Sequence, residues 1–156
     1  MNIFVLDSDP RIAAQAQCDK HVVKMVLETA QILSTVAASR GISTRYRPTH
    51  ASHPCTLWAG LSGANWRWIL AHGQALAEEY SLRYGRAHAS SAVIEELAHS
   101  VECDAFEQQE QTPFAQAMPD EYKNPCAVTA YRAYYRGAKA DICRWTVRAA
   151  PDWFLQ

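Results

Sequence analysis

A histidine, a lysine and a glutamate, His21, Lys24 and Glu28, stand at helical spacing in the largely apolar run CDKHVVKMVLETAQ at residues 18–31. An imidazole moves protons near neutral pH. An ammonium neutralises phosphate or, when desolvated, acts as an amine nucleophile. A carboxylate serves as a general base or steadies a developing positive charge. At about 100° per residue, His21, Lys24, Glu28, Gln31 and Thr35 fall within an arc of roughly 80°. Val22, Met25, Val26, Ile32 and Leu33 are among the apolar residues that fill the rest of the turn. A surface helix shows the opposite proportions, with a broad polar face. The expectation is a central helix whose polar stripe floors a reaction cleft, with His21, Lys24 and Glu28 catalytic. The plainer alternative is a solvated i,i+4 pair of Lys24 and Glu28, worth about 0.2–0.5 kcal/mol.

Other residues are candidates for holding substrate around that stripe. Asp19, Lys20 and Gln31 flank it on the same helix. The loop RGISTRYRPTHASHPC supplies Arg45, Arg47, His50 and His53, which suit hydrogen bonding to phosphate. On a second helix, ANWRWILAHGQALAEEYSLRYG, the residues Asn65, His72, Glu79 and Arg83 share one line. Asn65 and His72 are its site candidates, whereas Glu79 and Arg83 read as an ion pair. The segment TAYRAYYRGAKADICRW interleaves aromatics with Arg132 and Arg136, a mixture that stacks on bases and grips a nucleic-acid backbone. His50, His53 and Cys55 raise the question of zinc, but H-x-x-H-x-C is not a usual ligand spacing and lacks a fourth ligand. Neither a metal nor a cofactor is expected. No P-loop, Rossmann glycine fingerprint, H-E-x-x-H or G-x-S-x-G is present.

The elements that must position these residues are helical. NIFVLD reads as a short buried strand or an extended lead-in. Asp9 caps a helix that Pro10 opens. A helix from Asp19 to about Ser39 stops at Gly41, and another from about Ser62 stops at Gly85. A shorter helix is predicted near Ser91 to Val101. A final one begins at Asn124-Pro125 and runs to about Trp145, ahead of the aromatic tail PDWFLQ. The expected fold is mostly α, a compact bundle with long connecting loops, in a single domain spanning residues 1–156.

Composition agrees with a folded chain, at 49% hydrophobic and 20% charged residues. No apolar run reaches the ~20 residues of a membrane span. MNIFVLDSDP lacks a basic region and does not resemble a signal peptide. The five cysteines, odd in number and widely spaced, suggest reduced, mostly buried thiols. A cytoplasmic location without membrane contact is expected. The net charge of −1 hides segregation: residues 89–121 hold eight acidic residues and no Lys or Arg. Residues 131–148 hold five basic residues against Asp141 alone. Strong non-specific DNA binding is therefore not expected, although local phosphate contacts are.

Several stretches together resemble a family of short tailed-phage proteins: CDKHVVKMVLETAQILST, THASHPCTLW with the following NWRW, EEYSLRYGRAH, PFAQAMPDEY and AYRAYYRGAKA. That family is similar to the α-glutamyl/putrescinyl-thymine pyrophosphorylases of thymine hypermodification. The resemblance implies a phage protein acting in the host cytoplasm on a pyrimidine in DNA, displacing pyrophosphate from an activated hydroxymethyl-pyrimidine with a small amine co-substrate. A fainter resemblance is to phage pyrimidine-dimer DNA glycosylases of the endonuclease V type. Their D-x-H…E pattern on an early helix is comparable to Asp19, His21 and Glu28. In that family the α-amine of a small residue, exposed by methionine removal, attacks the sugar and forms a Schiff base. Asn2 departs from the pattern in size, which leaves Met1 or Lys24 as the amine. A third alternative is a DNA-binding accessory protein without catalysis.

Overall fold

The computed structural model describes residues 1–102 and 105–155. Seven α-helices run through these residues, with no strand among them: α1 Pro10–Ala16, α2 Asp19–Ser39, α3 Pro54–Leu61, α4 Gly63–Tyr84, α5 Ser91–Ser100, α6 Ala127–Ala138 and α7 Asp152–Leu155. The fold is the mostly α architecture that the helical periodicities predict.

Local sequence explains most of the boundaries. Asp9 accepts hydrogen bonds from the backbone N–H groups of Arg11 and Ile12, and Pro10 occupies the first turn of α1. Ser62 caps α4 by accepting from Asn65 N–H, and Gly85 ends that helix in the left-handed region at φ 67°. Gly41, at φ 80°, stops the chain after α2 in the same way.

Three expectations are corrected. The N-terminal NIFVLD forms neither strand nor bridge; it is an irregular buried lead-in whose Phe4 sits at φ 37°. Residues 54–61, read as the loop's end and the run-up to α4, form the separate helix α3. His53 caps α3 by accepting from Cys55 N–H, and Pro54 opens it. The last long helix ends at Ala138 rather than near Trp145. Beyond Lys139 a 3-10 turn, Ala140–Ile142, redirects the chain so that Cys143 is buried and Arg144 O accepts from Asp19 N–H at 2.9 Å.

Helices α2 and α4 form the centre, with α1 packed on α4, α3 and α5 packed on both, and α6 joined by the lead-in. Their shared core includes Ile3, Leu6, Met25, Ile32, Leu33, Trp66, Ile69, Leu76, Ile94, Tyr131 and Tyr135, all below 2% exposure. By length and apolarity alone α2 passes for a membrane-crossing helix, yet 67% of its most apolar 18-residue window is buried inside the fold. It is the core helix. A buried ion network ties the chain ends to this core. Arg83, with a side chain 1% exposed, pairs with Asp19 and Glu79, while Arg148 donates to both Glu79 oxygens.

Candidate functional site

The polar stripe of α2 is divided by what covers it. Lys24 is exposed and Gln31 half-buried, while His21, Glu28 and Thr35 are buried. The N-terminal lead-in covers Glu28, and the loop before α3 covers Thr35, whose hydroxyl donates to Thr49 O at 2.9 Å.

Glu28 is the centre of the arrangement. One of its oxygens accepts the backbone N–H of Asn2 at 2.9 Å and lies 3.8 Å from the α-amine of Met1. The other pairs with Lys24 Nζ at 3.1 Å. A single carboxylate thus faces two amines. Asn2 shapes the turn that brings the N-terminus there. Its side-chain oxygen accepts from Ile3 and Phe4 N–H at 2.8 and 3.2 Å, and its amide donates to Ala117 O at 2.8 Å. These bonds hold Phe4 in a backbone region that a bulky side chain rarely visits. The Met1 side chain is buried, with its sulfur accepting from Thr56 of α3.

His21 stacks on Phe4 with ring centroids 4.4 Å apart and an interplanar angle of 14°. Its Nδ1 is paired with the Tyr135 hydroxyl at 2.5 Å. Burial holds that phenol well above its ordinary titration range. Cys18 and Cys143 are buried thiols that act on one another, the Cys18 thiol pushed down and that of Cys143 pushed up.

These groups surround a cavity of about 240 Å³ lined by Met1, Asn2, Phe4, His21, Lys24, Met25, Glu28, Ala117, Tyr134 and Lys139. The expected His21, Lys24 and Glu28 all line it. Sequence reasoning missed Asn2, Phe4, Tyr134 and Lys139 as lining residues. The signal available for Lys139 was its place in the basic, aromatic segment; nothing in the sequence marked Asn2 as a turn former facing Glu28.

The remaining candidates lie at varying distance from this centre. His53 is not among the residues lining the cavity; burial and then the positive charge of the Met1 amine push its imidazole below the usual range. Its Nδ1 already accepts from Cys55 N–H. His50 is exposed, with Nδ1 bonded to the Thr49 hydroxyl. Gln31, Arg45 and Arg47 line a neighbouring open hollow with Leu27 and Tyr46. Arg45 is paired there with Glu96, while Arg47 and Lys20 are exposed.

Asn65, His72 and Asp19 are not brought to the cavity. Asn65 Nδ2 donates to Trp58 O and to the Thr112 hydroxyl, and its Oδ1 accepts from Thr112 N–H. His72 is fully buried between Gln17 and Pro10 O, and burial lowers it to about 4. Asp19 accepts from Arg83 and Thr146. Arg132 pins the lead-in by donating to Leu6 O and Asp7, and Arg136 donates to Trp153 O. Among the described residues no group of three or more His, Cys, Asp or Glu is placed to hold a metal ion. Cys55, the third member of the zinc-like spacing, is buried and its thiol pushed up to about 12 by desolvation. Cys103 lies outside the described residues.

Neither a curated protein nor a solved structure matches the chain. A family model does: pyrimidine dimer DNA glycosylase, over residues 1–91. That span contains Met1, Asn2, His21, Lys24, Glu28 and His53 and amounts to more than half of the 156 residues. The two amines on one buried carboxylate therefore sit in the matched part of the sequence, and the chain belongs to the pyrimidine dimer DNA glycosylase family.

Proposed function

We propose that the protein is a DNA glycosylase/lyase that attacks the sugar of a damaged pyrimidine nucleotide with an amine. The observation that carries this reading is Glu28, buried and shared between the α-amine of Met1 at 3.8 Å and Lys24 Nζ at 3.1 Å. The amine attacks C1′ and the C1′–N bond to the base breaks, the base leaving with a proton. The C1′–O4′ bond then opens, O4′ taking up the proton that Glu28 received from the amine, and an imine joins C1′ to the protein. Glu28 takes the proton released by the attacking amine and balances the positive charge that develops on the sugar. Met1 is favoured as nucleophile because its side chain is buried and anchored, whereas the Lys24 side chain is 66% exposed. His21, clamped between Phe4 and Tyr135, lines the same wall and is placed to bond the sugar or the departing base. The reacting nucleotide has to leave the duplex stack to enter a cavity of this size.

The test is borohydride trapping on duplex DNA carrying a thymine dimer or an abasic site. The expected result is a covalent adduct that peptide mass mapping places on residue 1 and that persists in Lys24→Ala. An adduct lost in Lys24→Ala moves the nucleophile to Lys24. DNA binding without any adduct sinks amine chemistry and leaves a non-catalytic DNA-binding protein or a transferase.

The second reading is displacement of pyrophosphate from an activated hydroxymethyl-pyrimidine in DNA by a free amine. The feature that favours it is the excess of cations around the cavity, which suits a polyanionic leaving group. Incorporation of a labelled amine into pyrophosphorylated hydroxymethyluracil DNA, by protein that gives no borohydride adduct, would establish it.

A further inference from the structure

Part of the cavity's lining comes from residues beyond the family match: Tyr134 and Lys139 line it together with Lys24 and Glu28. Lys139 is the C-terminal cap of α6, and its carbonyl accepts from Ile142 and Cys143 N–H at 3.1 and 3.2 Å. Its ammonium lies 4.8 Å from the centre of the Tyr134 ring. That ring is itself set between Phe4, at 6.4 Å, and Tyr122, at 5.2 Å. Gly137 allows the approach of Tyr122, since a Cβ there would come within 2.5 Å of the Tyr122 hydroxyl oxygen. Lys139 is thus placed from both sides.

Charge at the cavity is unbalanced. Among the described residues Glu28 is the only carboxylate lining it, against the ammonium groups of Met1, Lys24 and Lys139. Met1 and Lys24 both engage Glu28, while Lys139 makes no ion pair among the described residues. A concave site with surplus positive charge attracts an anion.

We propose that Lys139 binds the phosphate on the 3′ side of the reacting sugar and steadies it as a leaving group. This rests on the glycosylase/lyase reading. Once the imine stands at C1′, Glu28 removes a proton from C2′. The electron pair so freed forms the C2′=C3′ double bond by way of the enamine, and the C3′–O bond breaks. Its electrons depart with the phosphate of the downstream strand, where the negative charge grows and Lys139 meets it. Imine formation itself leaves that phosphate diester unchanged, so Lys139 acts on strand scission and not on adduct formation.

The experiment measures two rates on abasic duplex DNA for wild type, Lys139→Ala, Lys139→Gln and Lys139→Arg: borohydride-trapped adduct and strand scission. Thermal melting confirms folding. The expected result is a scission rate lower by about tenfold or more in Lys139→Ala and Lys139→Gln. Trapping should stay within about twofold, with scission largely restored in Lys139→Arg. Unchanged scission in Lys139→Gln overturns the proposal, and so does an equal fall of trapping and scission in folded protein. A wild-type protein that forms no adduct overturns the glycosylase/lyase reading and this proposal with it. A wild type that forms the adduct while Lys139→Gln cuts normally overturns this proposal alone.

Discussion

Asn2 donates its backbone N–H to Glu28 across 26 residues of sequence, at 2.9 Å. The same Asn2 fixes the next two residues through its side chain and reaches Ala117 O through its amide. One small polar residue therefore sets the approach of the N-terminus to the buried carboxylate.

Replacing Asn2 with Ala removes three of those four bonds and leaves the backbone contact to Glu28. Phe4 then loses the support for its positive φ, and the Met1 amine loses its fixed line to the carboxylate. We expect the trapping rate on abasic DNA to fall by about tenfold or more, the cost of ångström-scale misplacement. The melting temperature should drop by only a few degrees. A normal trapping rate in folded Asn2→Ala would show that the turn does not position the nucleophile.

Glu28→Gln keeps shape and an acceptor for Asn2 N–H but removes the charge. Proton transfer by a positioned group is worth about 10²–10⁴-fold. We expect loss of base release and strand scission on that scale, with DNA affinity nearly unchanged, read from single-turnover kinetics and a binding titration. Activity within a factor of a few of wild type would remove Glu28 from the chemistry.

His72 makes stability depend on acidity. Burial lowers it from 6.5 to about 4, so the folded protein keeps it neutral while the unfolded chain protonates. The unfolded state then binds more protons between those two values. Stability from this residue is complete above pH 6.5 and is lost as pH falls toward 4, roughly 3 kcal/mol in all. Denaturant unfolding at several pH values should show this slope, and His72→Gln should flatten it. An unchanged slope in the variant would assign the acid sensitivity elsewhere.

Gly73 lies where α4 meets α2 and α5. A Cβ at this position would sit 2.7 Å from Thr29 Cγ2 and 3.2 Å from Ile94 Cδ1. Thr29 and Ile94 are buried and cannot swing away freely. We expect Gly73→Ala to destabilise by about 1–3 kcal/mol despite alanine's better helix propensity. A gain in melting temperature would mean the helices separate at little cost.

The buried ion network answers to a larger perturbation. Arg83→Ala leaves Glu79 with Arg148 as its cation and Asp19, among the described residues, with Thr146 alone, and frees the Gln15 and Gln17 carbonyls that Arg83 bonds. Removing one partner of a buried pair costs about 3–5 kcal/mol. Thermal and chemical unfolding would register it, and a loss below about 1 kcal/mol would reduce the network to a surface pair.

Helix starts and stops were legible because their chemistry is local. Asp9 with Pro10, Ser62, Gly41 and Gly85 act within one turn of themselves. Helix α3 was hidden because its cap is a histidine, an unusual acceptor, and because its eight residues are too few for a periodic pattern. The stripe of His21, Lys24 and Glu28 showed through period alone. Its meaning depended on Met1 and Asn2, which reach Glu28 only after the irregular lead-in folds back over α2. His72 and Asn65 resembled site residues because polar groups amid apolar ones look alike, whether they await a ligand or bond a backbone carbonyl. Arg132 was ambiguous in the same way: its target, Leu6 O, is 126 residues away.

That distance has a consequence for synthesis. The cavity joins residues at the start of the chain to Ala117, Tyr134 and Lys139, and contacts such as Asn2 to Ala117 and His21 to Tyr135 span 115 and 114 positions. Helices α1 to α5 pack among themselves, α1 and α2 on α4 and α2 on α5, so this part of the core needs nothing from α6. The pocket closes only when α6 has emerged and returned to the first residues. In a nascent chain the cavity therefore stays incomplete until the last quarter has docked onto the first residues.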